Sequence, residues 1–254
     1  MTEIRESLPL RMGNYENKDN YYLETNEPII IRVDGSNFSK FTKLFEGTFN
    51  EKFSQLMIHT AEAVAKELAT CVFFTTHSDE ISFFLRDYEF DKTQPLFNGC
   101  KRKIESKVAG KVTREFAIQL IKQGLLDYIP YFDCFDARAF NLPKEKVFNY
   151  FLYRQNDGIR NSVQMFARDF YSQSELNNKS TIDMKEMLLE KGLDWSLEKD
   201  WKKYGYVGMK LPVELEEKED TTRKKWFITQ AKPLQNYRND IEKLAINFKP
   251  ELAY

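Results

Sequence analysis

The sequence has few of the residues that most often bind zinc or form disulfides. Its 254 residues include two histidines and three cysteines. The cysteines, at Cys71, Cys100 and Cys134, are odd in number and widely separated, and their spacing matches neither a disulfide framework nor a zinc motif. The composition therefore argues against a zinc enzyme and against a small secreted domain held together by disulfides.

Long apolar runs and an excess of one charge are also absent. No stretch approaches the roughly 20 apolar residues that a membrane span requires. The first ten residues, MTEIRESLPL, carry acids and lack the apolar core of a signal peptide. The formal net charge is −1, so any nucleic-acid site has to be sought in local charge. We expect a soluble, cytoplasmic protein with no membrane partner.

Aromatic side chains, by contrast, are abundant. The chain has 21 phenylalanines and 13 tyrosines, and hydrophobic residues make up 42% of it. A disordered chain carries far fewer aromatic residues, and this length allows one large domain or two small ones. We therefore expect a globular protein.

The apolar pattern predicts strands and helices in an order that is typical of one fold. Short β-branched or aromatic runs predict strands, and apolar residues at helical spacing predict helices. These segments are a strand at 28–33, a helix at 50–69, strands at 71–76 and 81–85, a helix at 101–123 and a strand at 132–140. The order β-α-β-β-α-β is the split βαβ, or ferredoxin-like, pattern of an α+β fold.

The chain is predicted to have three parts, namely a polar lead-in at 1–27, a core at 28–142, and a helical lobe with a hairpin at 143–254. The lobe is expected to pack on the core.

The lobe begins with a helical pattern at 143–173, for which we predict a break near Asp157-Gly158. Two strands, at 204–215 and 225–232, flank a highly charged loop. The tract Arg223-Lys224-Lys225 is interpreted as a solvated hairpin tip.

Two aspartates follow strands that meet at one edge of a ferredoxin-like sheet. Asp34-Gly35 ends the first strand, and Asp79 lies in the turn between the second and third strands. Each alone is an ordinary turn residue, but together they predict a carboxylate pair. Such a pair, with substrate phosphates, suits two Mg²⁺ ions in phosphoryl transfer. Glu80 is adjacent, although side-chain alternation along a strand can turn it to the other face.

The predicted helix at 101–123 is basic along one face. It opens with Lys101, Arg102 and Lys103, and further basic residues follow at helical spacing. Because helix N-termini favour anions, this face is a candidate site for a triphosphate. A solvated helix face is the alternative.

A second polar cluster spans 153–162 and combines arginine, asparagine and aspartate. Such side chains contact phosphate, sugar and base edges, but a capped joint between helices is an equal alternative.

His77 and His59 are assigned no chemical role.

Five segments in this order make the chain similar to the tRNA-histidine guanylyltransferase superfamily, over roughly residues 28–165. They are IIIRVDGSNFSKF (30–41), HSDEISFFL (77–85), KRKIESK (101–107), FDARAF (135–140) and RQNDGIRNS (154–162). The resemblance implies a polymerase- or cyclase-type palm that uses two Mg²⁺ ions, ATP and GTP or another nucleoside triphosphate. It further implies tRNA as substrate and a homotetramer.

The resemblance also implies roles for individual residues. Asp34, Asp79 and Glu80 would be catalytic, and the metal would be bound by Asp34, the Gly35 carbonyl and Asp79. Nucleotide or triphosphate binding would fall to Gly35, Ser36, Asn37, Phe38, Ser78, Arg102, Lys103, Ser106 and Lys107. RNA binding would fall to Arg154, Asp157, Arg160 and Asn161.

The chain departs from the guanylyltransferase proper at three places. The segment Ile159-Arg160-Asn161-Ser162 lacks the family's histidine, and Ser39 replaces another histidine. A lysine that the family has near Phe45 is replaced around Gly47. These differences favour the guanylyltransferase-like branch, which repairs 5′-truncated tRNAs by template-directed 3′–5′ addition. A nucleotidyl cyclase-like palm enzyme and a non-catalytic RNA-binding module are the alternatives.

Overall fold

A computed structural model describes residues 7–88, 93–213 and 223–246. Within them, six strands form one sheet in the order β4-β1-β3-β2-β5-β6, and all neighbouring pairs are antiparallel. The strands are β1 (Ile29–Gly35), β2 (Cys71–His77), β3 (Glu80–Leu85), β4 (Phe135–Asn141), β5 (Tyr206–Val213) and β6 (Arg223–Gln230). Because β1 and β2 both run antiparallel to β3, they are parallel to each other, as the ferredoxin-like prediction requires.

The helices lie around this sheet. They are α1 (Leu8–Asn17), α2 (Phe38–Phe41), α3 (Glu51–Glu67), α4 (Lys101–Lys122), α5 (Val147–Arg168), α6 (Gln173–Leu176), α7 (Thr181–Glu190), α8 (Asp200–Tyr204) and α9 (Arg238–Ile246). Among the described helices, none is long and apolar enough to cross a membrane. The α+β class is confirmed.

Helices α3 and α4 cover one face of the sheet. Asn50 caps α3, because its side-chain oxygen accepts the Phe53 N–H at 3.2 Å. The predicted apolar stripe of α4 is fully buried, at Ile104, Val108, Val112, Phe116 and Leu120. The amphipathic pattern therefore placed this helix correctly against the core.

Helix α5 covers the other face, and the predicted break within it is wrong. The helix continues without interruption from Val147 to Arg168. Gly158 is buried inside it, and a β-carbon there would lie 3.1 Å from the His77 ring. Glycine serves close packing between α5 and β2 at this position and does not end the helix.

The second face joins the core to the C-terminal part of the chain. Ile30, Phe73 and Phe84 of the sheet share one buried cluster with Phe151 of α5 and Ile241 of α9. The lobe packs on the sheet through this cluster.

The hairpin also differs in part from its prediction. Strands β5 and β6 pair from Tyr206↔Gln230 to Val213↔Arg223. The tract from Arg223 to Lys225, predicted to be a hairpin tip, therefore belongs to β6, and the loop at 214–222 lies outside the described residues. A tract of like charges is compatible with an edge strand, where charged side chains also discourage unwanted strand pairing.

Candidate active site

The Asp34 and Asp79 carboxyl groups converge at one edge of the sheet. Asp34 lies opposite Glu80 in the β1–β3 register, and Asp79 occupies the turn directly before Glu80. Ser78 adopts a left-handed φ of 53° in this turn. Burial and then the charge of Asp34 raise the pKa of Asp79. The two side chains are therefore electrostatic neighbours despite their separation in sequence.

Asp34 belongs to a row of acids that crosses three strands. Asp136 of β4, Asp34 of β1 and Glu80 of β3 stand side by side in register. Burial raises the pKa of Asp34 most, Glu80 and Asp136 raise it further, and Arg32 lowers it. Like charges directly opposite one another destabilise a sheet, so this edge favours a bound cation.

The donor set fits Mg²⁺, a hard cation that is usually held by one or two carboxylates together with substrate phosphates. Asp34 and Asp79 supply the carboxylates, and the Gly35 carbonyl is a further oxygen of the same segment. Glycine is required at 35, because a β-carbon there would overlap the Phe38 ring. Within 7–88, 93–213 and 223–246, no group of three His, Cys, Asp or Glu side chains is arranged around one metal position.

Glu80 is held by a residue of the second polar motif. Arg154 of α5 donates from Nε to Glu80 Oε1 at 2.8 Å and from Nη2 to Oε2 at 2.5 Å. Arg154 also donates to Asp157 at 3.0 Å. Arg154 and Asp157, predicted to bind RNA, are thus engaged with each other and with the acidic row.

The other two predicted RNA-binding residues lie on the surface of α5. Arg160 is exposed and pairs with Asp157. Asn161 is exposed as well. The structure therefore divides the motif into a partly buried pair, Arg154 and Asp157, that faces the sheet and an exposed pair, Arg160 and Asn161.

A cavity of about 650 Å³ opens beside Asp79. Ser78, Asp79 and Thr76 line it with polar groups. Its apolar lining comes from Phe45, Phe53, Met57, Trp201 and Tyr206. The volume and the mixed lining are typical of a small-molecule site.

Two cations that the sequence analysis did not single out line this cavity. Lys43 lies in the turn after α2, and Arg168 ends α5. In the described part of the chain, no carboxylate is within ion-pair distance of either, whereas Lys202 of the same lining pairs with Glu198 at 2.6 Å. No sequence spacing could have linked Lys43 to Arg168, because they come from separate elements.

Three residues directly after β1, at positions 36–38, were predicted to bind the nucleotide, and one of them lines the cavity. Phe38 lines the cavity. Ser36 donates its N–H to the Cys134 carbonyl at 2.9 Å, and the Asn37 amide donates to Asp133 at 3.3 Å. Ser36 and Asn37 therefore join this loop to the segment before β4.

The predicted triphosphate-binding residues of α4 lie away from the cavity. Glu105 accepts the Ala139 N–H at 3.0 Å, near the end of β4. Thr113 accepts the Phe135 N–H at 3.0 Å, where β4 begins beside Gly35. The N-terminal half of α4 is thus at the opposite end of the sheet from Gly35. It carries Arg102, Lys103, Ser106 and Lys107, none of which is in the cavity lining.

The two histidines occupy different environments. His77 is buried, and its Nε2 lies 3.3 Å from the Lys202 carbonyl. Burial lowers the pKa of His77, and the hydrogen bond to the Lys202 carbonyl raises it in part. His59 is on the exposed side of α3, so it adds nothing to the core.

The chain is similar to known tRNAHis guanylyltransferases. The model of the family described as Thg1, tRNAHis guanylyltransferase, matches residues 10–143. The tRNA(His) guanylyltransferase of Schizosaccharomyces pombe is 28% identical over 236 residues, which cover 87% of this chain and 86% of that protein.

Solved structures match over nearly the whole chain. A bacterial tRNA(His) guanylyltransferase (Thg1)-like protein in complex with ATP has a TM-score of 0.83 and 27% identity, covering 95% of this chain and 100% of that one. The GTP complex of a bacterial protein of the same description has a TM-score of 0.77, with 27% identity and the same coverage. The chain belongs to the tRNAHis guanylyltransferase family.

Proposed function

We propose that this chain adds nucleotides to the 5′ end of tRNA in the 3′–5′ direction, by template-directed repair of 5′-incomplete tRNAs. Its substrates are ATP, GTP or another nucleoside triphosphate, and it uses two Mg²⁺ ions. One observation carries the proposal, namely the convergence of Asp34 with Asp79, which lines a cavity of nucleotide size. The similar bacterial proteins in complex with ATP and with GTP support it.

The cavity suits a nucleoside triphosphate. Its apolar lining offers Phe45, Trp201 and Tyr206 to a base, and its polar lining ends at Asp79. Lys43 and Arg168 provide positive charge for phosphate oxygens. We assign both to the triphosphate, in addition to Ser78.

The reaction has two displacements at phosphorus. In the first, an oxygen of the tRNA 5′ phosphate bonds to the α-phosphorus of ATP and pyrophosphate leaves. In the second, the 3′-hydroxyl of the incoming nucleoside triphosphate bonds to the 5′ phosphorus, its proton is lost and AMP leaves. Bound Mg²⁺ would make that hydroxyl more acidic and neutralise charge on the phosphates.

The chain's own residues mainly position these groups. Asp34, the Gly35 carbonyl and Asp79 hold the cation site at the sheet edge, and Ser78 and the cavity lining fix the nucleotide. Holding two reactants in line removes much of the entropic cost of their encounter.

The basic half of α4 would bind phosphate outside the cavity. Lys103 and Lys107 are exposed on this helix, and they lie at the other end of the sheet. We assign Arg102, Lys103, Ser106 and Lys107 to a phosphate of the RNA or of the second nucleotide. Arg160 and Asn161 are assigned to the RNA as well.

Template pairing, and not tRNAHis identity, would choose the added nucleotide. Ser39 and the Ile159–Ser162 segment lack the histidines of the guanylyltransferase proper. A base on the opposite RNA strand can select its partner without a protein side chain reading it. The proposal includes a homotetramer, which light scattering on the purified protein would measure.

A 5′-truncated tRNA, labelled at its 5′ phosphate, tests the proposal. It is incubated with ATP, Mg²⁺ and each nucleoside triphosphate in turn, with Asp79→Ala as the matched inactive control. We expect lengthening at the 5′ end only with the template-matched nucleotide. Failure with every tRNA and nucleotide would overturn the activity, and a cyclic product formed without RNA would favour a cyclase instead.

A further inference from the structure

In the acidic row at the sheet edge, the Glu80 carboxylate is hydrogen-bonded to an arginine. Asp136, Asp34 and Glu80 are neighbours in register, yet both oxygens of Glu80 accept hydrogen bonds from Arg154, at 2.8 and 2.5 Å. The Ser82 hydroxyl also lies 3.4 Å from Glu80 Oε1. Glu80 is therefore oriented by hydrogen bonds from protein groups, whereas no side chain within residues 7–88, 93–213 and 223–246 donates a hydrogen bond to the Asp34 carboxylate.

The Arg154 guanidinium is itself fixed. Its side chain is 12% exposed and that of Glu80 is 19% exposed. Asp157, one turn along α5, accepts a further bond from Arg154 at 3.0 Å. A two-pronged contact between arginine and a carboxylate defines the plane of the carboxylate as well as its distance. Arg154 thereby ties Glu80 to α5, on the side of the sheet where Asp34 also points.

We propose that Arg154 is a positioning residue that withholds the Glu80 carboxylate from the metal site of Asp34 and Asp79. The inference rests on the proposed metal site. Mg²⁺ demands near-ideal octahedral geometry and keeps positions for water and substrate phosphates. A third carboxylate at this edge would occupy a position that a phosphate oxygen needs, so withholding Glu80 keeps the site open to the nucleotide.

Mn²⁺ binding, followed by the electron paramagnetic resonance signal of the free ion, tests this without any need for catalysis. Arg154→Met removes both arginine hydrogen bonds to Glu80 and leaves Arg32 Nη1 at 4.0 Å from Glu80 Oε2. We expect Mn²⁺ to bind about 10-fold more tightly, because ligand charge becomes available to the site. The double variant Arg154→Met with Glu80→Gln should return to wild-type affinity. Arg238→Met is the matched control, because it breaks an exposed arginine–glutamate pair on α9.

Nucleotide addition provides the second measurement. At saturating Mg²⁺, kcat of Arg154→Met should fall roughly 10- to 100-fold, and the added Glu80→Gln change should restore it to the level of Glu80→Gln alone. A role in folding alone would lower the melting temperature and leave kcat of the folded enzyme unchanged. If Arg154→Met does not fold, Arg154→Gln, which keeps a polar side chain, is measured in its place with the same expectations.

Mn²⁺ affinity that is equal in wild type and the Arg154 variant, or absent in both, overturns the inference. Tighter binding that persists in the double variant also overturns it, because Glu80 would not be the added ligand. The failure of nucleotide addition in wild type, with the Mn²⁺ pattern intact, would instead count against the proposed function.

Discussion

Asp34 and Asp79, the residues proposed to hold the metal, are unfavourable for folding when no cation is bound. Burial raises the pKa of both carboxyl groups most. The charges of Glu80 and Asp136 raise that of Asp34 further, and the charge of Asp34 raises that of Asp79. The folded state therefore disfavours the charged forms that a metal requires. A cation bound in the proposed site would remove this cost, so the feature that destabilises the metal-free protein would also favour binding of the cation.

The first prediction concerns these two side chains. Asp34→Ala and Asp79→Ala should each reduce nucleotide addition by at least ~10²-fold, because a metal ligand is lost. Addition is measured with the end-labelled truncated tRNA, on variants whose circular dichroism matches wild type. Near-normal activity in either folded variant would remove that residue from the site.

The second prediction follows from the direction of the pKa shift. An acid whose pKa is raised in the folded state lowers stability once pH exceeds its usual value of 3.8. Asp79→Asn removes the charge and keeps the shape, so at pH 7 without metal it should raise the free energy of unfolding by ~1 kcal/mol. Urea denaturation in a chelating buffer measures this. Equal stability at pH 7 would show that the carboxylate is solvated and not strained.

At the scale of elements, α3 and α4 are joined by one acid between two bases. Glu67, at the end of α3, accepts from Lys111 and Arg114 of α4. The Lys111 hydrogen bond is the main cause that lowers the pKa of Glu67. Lys111 and Arg114, which continue the basic face of α4 at helical spacing, thus align two helices.

The third prediction concerns this contact. A lowered pKa contributes stability above pH 4.5 that is lost as pH falls through the folded pKa. Because the groups are largely exposed, Glu67→Gln should cost no more than ~1 kcal/mol at pH 7, and less in 1 M salt. Urea denaturation from pH 7 to pH 3 measures this.

The matched control is Glu62→Gln, which breaks the exposed Glu62–Lys66 pair within α3. A cost of ~0.3–0.5 kcal/mol is typical of such a pair. A Glu67 variant whose deficit persists unchanged at pH 3 would contradict the ionic origin of the contact.

The fourth prediction uses two glycines in regular elements. Gly110 of α4 has open space around its missing β-carbon, whereas a β-carbon at Gly208 of β5 would overlap the Phe74 ring. Gly110→Ala should stabilise by about 0.5–1 kcal/mol through helix propensity, and Gly208→Ala should destabilise by about 1–3 kcal/mol through overpacking. Thermal unfolding compares them, and shifts of the same sign would contradict the packing argument.

At the scale of the whole molecule, the core and the lobe share buried surface. Ile30, Phe73 and Phe84 are covered by Phe151 and α9, and β2 pairs with β5. The family model matches residues 10–143, yet that segment lacks the elements that cover this face. We therefore expect that the core and the lobe on either side of residue 143 do not fold independently.

The fifth prediction tests this dependence. A fragment of residues 1–143 should fail to unfold cooperatively and should bind the dye ANS, because a large apolar face is exposed. Heat denaturation followed by circular dichroism, with the full chain as control, measures it. A cooperative transition in the fragment would establish an independent core domain and refute the shared-core argument.

Sequence periodicity by itself determined most of the elements. Alternating and helical apolar patterns located the β-α-β-β-α-β order and the buried stripe of α4, because burial of apolar surface depends on local spacing. The same topology implied that Asp34 and Asp79 would meet. The resemblance to the guanylyltransferase superfamily then named the metal ligands.

Only the tertiary structure decided which polar side chains face one another. In the folded chain Arg154 hydrogen-bonds Glu80, and Lys43 and Arg168 line one cavity. The basic N-terminal half of α4 lies at the end of the sheet opposite Gly35. The tertiary structure also kept α5 continuous through Gly158, where His77 packs. Contacts between residues remote in sequence depend on register, burial and charge pairing in three dimensions, and no pattern within a single segment records them.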